Sequence, residues 1–177
     1  MITKRISENQ IEYNKNLIKK YPFLARGIYD YDTKEYEFTW LDDLEPGWRI
    51  AFGKNLCEDL AEALKQDGCE DSFQFLQIKE KYAELRLYYM GGGDATRECL
   101  HKYEELSKYI CGHCGKLATK ITSGWYYPLC DDCSKEVHST FTDIANFYSF
   151  NSYDDIIAEV EHIKSNYRFG DYWQPLK

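Results

Sequence analysis

Two Cys-x-x-Cys pairs, Cys111-Gly-His-Cys114 and Cys130-Asp-Asp-Cys133, stand 15 residues apart. No other feature restricts the chain as strongly. Each pair sets two thiols on one tight turn, and four thiolates complete the tetrahedron of a structural Zn²⁺. Zinc is the expected cofactor, with Cys111, Cys114, Cys130 and Cys133 as its ligands. Between the pairs, 117–122 and 125–129 read as two strands about Ser123-Gly124, and Ser134–Val137 as a helical turn. Knuckle, hairpin and cysteines at a helix start is the order of a treble clef, with a zinc ribbon as the close alternative. Four thiolates leave no open position for water, so a catalytic metal is not expected. His113 is expected to face solvent, and His101 and His138 to be surface or packing residues. Cys-Gly-His-Cys also occurs in disulfide isomerases, where its first Cys opens a helix after a strand. Here the motif follows a predicted helix and precedes a strand, which favours the metal.

The chain has 7 cysteines, an odd number that argues against a secreted disulfide scaffold. Cys57, Cys69 and Cys99 are read as small buried hydrophobes, and a reducing cytoplasm as the compartment. The N-terminal residues lack an apolar h-region, so no secretory signal is expected. No window approaches ~18 uncharged apolar residues, which excludes a membrane span. At 177 residues, one domain with a small appendage is expected: an α+β core over 1–110, a zinc module over 111–137 and a helical extension over 138–177.

The net charge is −8, and residues 41–110 hold 15 acidic against 9 basic groups. No basic stripe exists, which disfavours nucleic acid as a partner. Lys79, Lys81 and Arg86 lie close enough in sequence to form a local basic face.

Periodicity supplies the elements. A capping-box pattern at Ser7 and Gln10 precedes a helix over 8–20, ended by Pro22. Residues 27–41 alternate about Asp32-Thr33-Lys34 as a hairpin. Pro46 opens a helix reaching Lys65, with Phe52, Leu56, Leu60 and Leu64 as its buried stripe. Gly53 within it suggests a close backbone contact, and Asp67-Gly68 closes it. Residues 73–79 and 83–90 read as an antiparallel pair linked by Glu80-Lys81-Tyr82. Asp94 or Thr96 then caps a helix to about residue 110, with Cys99, Tyr103, Leu106 and Ile110 on its stripe. Ser152 and Asp155 form a capping box before Ile156, Val160 and Ile163. The expected fold is α+β, a small antiparallel sheet packed on helices with the four-cysteine module docked beside it.

Catalytic signatures are missing: no phosphate loop, no nucleophile elbow and no His-Glu-x-x-His. Gly91-Gly92-Gly93 before a helix resembles an anion-binding loop, but Asp94 would repel an anion, so a plain turn is expected. Tyr82, Tyr88, Tyr89, Tyr126 and Tyr127 are either packing residues or a contact surface. Arg49, Lys79, Lys81, Tyr82 and Arg86 are candidate ligand or partner contacts, with cations and a stacking ring suited to a nucleotide.

Tyr21-Pro22-Phe23-Leu24, Gly47–Gly53, Gln77-Ile78-Lys79-Glu80-Lys81-Tyr82 with Leu85-Arg86, and Ser123-Gly124-Trp125 between the cysteine pairs resemble a group of small uncharacterised proteins borne mostly by phages and prophages. The resemblance covers residues 21–137, and the group usually has Gly where this chain has Ala83. It implies a phage-associated protein working in the cytoplasm of a bacterial host. With the acidity, the tyrosines and the missing catalytic motifs, it leads to the expectation of a non-enzymatic protein that binds a host protein, such as an antiphage defence component. Sequestration of a small nucleotide signal and nucleic-acid association through the zinc module are the alternatives.

Overall fold

The computed structural model describes residues 8–26 and 38–166. Its α1 covers Glu8–Lys20, and the chain turns at Pro22–Leu24. Ser7, the expected cap of α1, and most of the expected 27–41 hairpin lie outside the described residues. The described end of that hairpin is not a strand. Trp40–Asp43 forms a 3-10 turn, because the Asp42 carboxylate accepts from the Thr39 backbone N–H at 2.6 Å and closes a capping box. Only an isolated bridge joins Ala25 to Thr39.

The helix opened by Pro46 comes in three pieces: α2 over Pro46–Trp48, a π turn over Arg49–Gly53 and α3 over Lys54–Asp67. Phe52, Leu56, Leu60 and Leu64 are buried, as their spacing requires. Gly53 makes no close backbone contact, since a Cβ there would meet only side chains, the nearest 3.4 Å away. The close approach falls at Gly47 instead.

Strands β1 (Gln74–Lys81) and β2 (Glu84–Met90) pair antiparallel, with a bulge between Phe75 and Gln77. Their link is shorter than expected. Lys81 pairs with Glu84, so the turn is Tyr82-Ala83, and both residues have positive φ (56° and 66°). That is the mirror-image turn favoured by strand twist, here without the usual Asn or Gly. Glu80 supports it by accepting from the Ala83 N–H at 2.7 Å.

Helix α4 (Asp94–Ser107) packs on β2 and α3. It closes the outer edge of β2 with side chains: Leu85 N–H donates to Ser107 Oγ and Leu87 N–H to Glu104, each at 2.8 Å. The expected stripe of Cys99, Tyr103, Leu106 and Ile110 is buried. Beside it, Lys102 and Asp59 form a buried ion pair at 3.0 Å, and the Tyr103 hydroxyl donates to the same carboxylate oxygen. Removing one partner of such a pair costs about 3–5 kcal/mol because the other stays charged and buried.

The cap of α4 is neither Asp94 nor Thr96. Gly93 holds the N-cap position, and Asp67 from the end of α3 reaches across. Its carboxylate accepts from the N–H groups of Gly93, Ala95 and Thr96 and from the Thr96 hydroxyl, at 2.7–3.2 Å. The glycine loop thus holds an anion after all, the chain's own carboxylate.

A second sheet has the order β4-β3-β5, from β3 (Lys120–Thr122), β4 (Pro128–Leu129) and β5 (Phe141–Asp143). A single turn, α5 (Asp131–Ser134), follows β4. Helix α6 (Ile144–Phe147) is capped by Asp143, and α7 (Tyr153–Asn166) begins at the expected box of Ser152 and Asp155. Ile156, Val160 and Ile163 are buried, and α7 packs against α4. Buried side chains from Tyr21 to Ile163 form one cluster that includes Ile121 of β3 and Ile144 of α6. No helix among the described residues is long and apolar enough to cross a membrane.

Two outcomes follow from these turns. Ala83 carries a Cβ in the left-handed region, a strain of about 1–2 kcal/mol that glycine lacks. Ala83→Gly is expected to relieve that strain and, after the entropy of glycine and the loss of one buried methyl are subtracted, to stabilise the fold by up to about 1 kcal/mol, read as a higher denaturation midpoint. At Asp67, partial burial works to raise the carboxyl, but hydrogen bonds from Thr96, Ala95 and Gly93 outweigh it and hold it below the ordinary range. Its folded value is therefore depressed, and its contribution is full above the unfolded carboxylate range and lost as pH falls through the folded value. Asp67→Ala should cost about 1–2 kcal/mol at neutral pH, as loss of a helix cap does. The gap between wild type and variant, measured by urea denaturation, should close in acid.

Candidate metal centre and the surfaces around it

The first cysteine pair sits on a knuckle. Cys111 N–H donates to Lys116 O at 2.7 Å, and Gly115 N–H returns to Cys111 O at 3.0 Å. Gly115 takes φ +81° to close the turn. The second pair straddles the start of α5, with Cys130 at its N-cap and Cys133 inside it. Knuckle, hairpin and helical turn follow the treble-clef order, with the helix cut to one turn.

The four Sγ atoms lie within 4.8 Å of one another, and Cys114 and Cys130 are 3.6 Å apart. A disulfide would bring two sulfurs to ~2.05 Å. Zn–S bonds of ~2.3 Å at tetrahedral angles place them ~3.8 Å apart. The donor set and spacing therefore fit one thiophilic metal ion. Burial raises the Cys114 and Cys133 thiols. Cys130 is also penalised by burial, but the Cys133 N–H, the thiols of Cys114 and Cys133 and the Asp132 N–H together pull it below the usual thiol range. Those N–H donors at the start of α5 suit a thiolate.

The other cysteines behave differently. Cys57 and Cys99 are buried against the core, and burial pushes the Cys57 thiol up to about 12 and raises that of Cys99 further. Cys69 is half-buried, with its thiol 3.4 Å from Asp67 O. His113 faces solvent, and no histidine belongs to the thiol cluster.

The knuckle is seated on α2. Gly47 N–H donates to Gly112 O at 2.6 Å, and the Trp48 indole donates to Ile110 O at 3.0 Å. A Cβ at Gly47 would overlap the Cys111 carbonyl oxygen and lie 2.7 Å from Gly112 C and Gly115 N. Tyr127 of the module donates to Glu45, just before α2, at 2.7 Å. Nothing local in the sequence marks Glu45 or Gly47 for this role. Their signal was the Gly-Trp pair after Pro46, which carries no marker of its distant partner.

The candidate contacts divide. Lys79 and Arg86 are register partners on the solvent face of the β1–β2 pair, and Lys81 and Tyr82 stand at its turn. Arg86 pairs with Glu84, while Lys79 and Lys81 lie over Tyr88 and Tyr82. Arg49 is elsewhere. It pairs with Asp42 and lines a different groove, so the five do not make one site. The three lysines of the module, Lys116, Lys120 and Lys135, each pair with Asp131 or Asp132.

The tyrosines divide as well. Tyr89 stacks on Phe73 and Tyr127 bonds Glu45, so both serve packing. Tyr82, Tyr88 and Tyr126 are exposed, and Trp125, which the sequence marks only as a strand residue and part of the Ser123-Gly124-Trp125 motif, is 77% exposed. Tyr82 and Lys81 from one hairpin face Trp125 and Tyr126 from the other across a cleft of about 230 Å³. On its other side Trp125 borders a groove of about 410 Å³ with His113, Leu129 and Val137. Glu80 lies in the first cleft. Burial raises its carboxyl, and so does nearby Glu45, whereas the Ala83 N–H and the Trp125 indole lower it as donors.

Comparison with protein-family models, curated proteins and solved structures finds no match.

Gly47→Ala would force the knuckle off α2. Overpacking against backbone, which cannot rotate away, should cost about 3 kcal/mol or more. Differential scanning calorimetry of Gly47→Ala against wild type would measure that loss.

Proposed function

We propose that the four cysteines hold one structural Zn²⁺ and that the protein is a non-enzymatic binding protein. Its partner is a host protein in the bacterial cytoplasm, an antiphage defence component that it inhibits or modulates. The observation that carries this reading is the convergence of exposed aromatic side chains from two hairpin tips around Trp125. Trp and Tyr bring large, rigid contact area to interfaces and dominate their energetics. A thiolate-saturated ion adds folding free energy and offers no coordination site to a substrate. The ion would hold the module against α2 and so fix where Trp125 points. The resemblance to phage-borne proteins supports the choice of a bacterial partner.

Metal analysis of protein purified without added metal should give one zinc per chain, and Cys133→Ser should lose it. Tagged full-length protein, expressed in a bacterial host during infection, should retain one stoichiometric partner by mass spectrometry. Trp125→Ala should weaken that interaction about 30-fold, the usual loss at a central aromatic (~2 kcal/mol), with zinc content unchanged. A partner held equally well by Trp125→Ala, or none at stoichiometric yield, would overturn the reading.

A further inference from the structure

Away from the metal centre, cations gather around one groove. Between α1, the Trp40–Asp43 turn and the π turn lies a cavity of about 410 Å³ bordered by Lys20, Arg49 and Lys54. No carboxylate is among the described residues that line it, in a chain whose net charge is −8. Its volume is in the range of small-molecule sites. It shares no lining residue with the clefts around Trp125.

Arg49 is fixed in place from behind. Asp42 accepts from one end of its guanidinium, and the other Asp42 oxygen is held by the Thr39 N–H and hydroxyl and by Asn14. A guanidinium carries five donors in a rigid fork, so one such contact orients it and leaves donors for a second anion. Its side chain keeps 28% exposure, enough to be reached. Lys54 is 81% exposed and only loosely paired with Glu58, at 3.8 Å. Lys20 lies 4.9 Å from the centre of the Tyr21 ring.

The rim supplies the second half of a recognition site. Tyr13 and Ile50 are both more than half exposed beside the three cations, offering a ring face and an aliphatic edge. Gly53 lines the groove with no side chain to fill it. The π turn, a form that recurs at functional sites, is the element that presents Arg49, Ile50 and Gly53 together. A flat apolar rim beside a cluster of cations matches a molecule with a planar ring and a phosphate.

We propose that this groove binds a small phosphate ester with a planar ring, of the nucleoside monophosphate class. The phosphate meets Arg49, Lys20 and Lys54, and the base lies against Tyr13 and Ile50. The site is independent of the partner surface at Trp125.

Isothermal titration of the full-length protein, as purified with its metal, tests this with adenosine 5′-monophosphate, 3′,5′-cyclic AMP, adenosine and inorganic phosphate. At least one nucleotide should bind, with adenosine and phosphate each about tenfold weaker or more, since each keeps half of the contacts. Lys54→Gln and Lys20→Gln should each weaken nucleotide binding about threefold or more without moving the ligand-free melting temperature, as exposed charges allow. Arg49→Lys should weaken it about tenfold, through loss of the fork. Trp125→Ala should bind the nucleotide as wild type does, which separates this site from the partner surface. Binding of phosphate as tight as that of the nucleotides would overturn the proposal, as would affinity unchanged in all three cation variants. Absence of heat with both nucleotides at millimolar concentration would also overturn it.

Discussion

The structure depends on one backbone contact, the seating of Gly47 on the Cys111–Gly115 knuckle. Gly47 can approach this closely only without a Cβ, which would overlap Cys111 O, and a Cβ at Gly115 would in turn meet Gly47 O at 2.8 Å, while Gly112 leaves room for the Tyr127 ring. The Gly47–Gly112 hydrogen bond then satisfies a donor at the first turn of α2, one of the groups every helix start leaves without an internal partner. Trp48 and Glu45, on either side, add the bonds to Ile110 and Tyr127. The four-cysteine module is therefore part of the frame that positions the central helix. Its hairpin gains a third strand from β5, beyond the second cysteine pair, and its sheet contributes Ile121 to the common core.

This arrangement explains which features could be read from the chain. The stripe of Phe52, Leu56, Leu60 and Leu64 and the box of Ser152 and Asp155 depend on neighbours within a turn or two, so periodicity exposes them. The cysteine pairs are legible because metal chemistry imposes their spacing. What stayed hidden is long-range. Asp67 caps a helix whose first residue is Asp94, and nothing local marks a carboxylate for a distant loop. In sequence Trp125 is one more hairpin aromatic, and only the fold brings Tyr82 opposite it. Charge alone groups Arg49 with Lys79 and Arg86, whereas the π turn, invisible to a period of 3.6, places it at another groove.

The two hairpins illustrate different ways of holding a turn. The Tyr82-Ala83 turn is strained at both residues and leans on Glu80 for support. In the module, Gly124 takes φ +88° freely, and Thr122 secures the loop through its hydroxyl to Trp125 O. Glu80 also lines the cleft that Trp125 borders, so the residue that props the strained turn stands where the two hairpin tips meet. A turn fixed in this way lowers the ordering cost of any contact its exposed rings make.

Charge is distributed by the same logic. Carboxylates are spent on structure wherever the described residues are tightest: Asp42 on a cap and an arginine, Asp59 on a buried lysine, Asp67 on a loop. Most exposed lysines are matched by an acidic neighbour or laid over a ring. The cations beside α1 keep such partners too, Asp42, Glu58 and the Tyr21 ring, but no carboxylate is among the described residues that line the cavity they border. In a protein of net charge −8 the long-range field works against any anion that approaches. A local cluster of three cations offsets that field only over about a Debye length, some 8 Å at physiological ionic strength. A small phosphate ester fits within that reach, whereas a polyanion such as nucleic acid would extend beyond it into acidic surface.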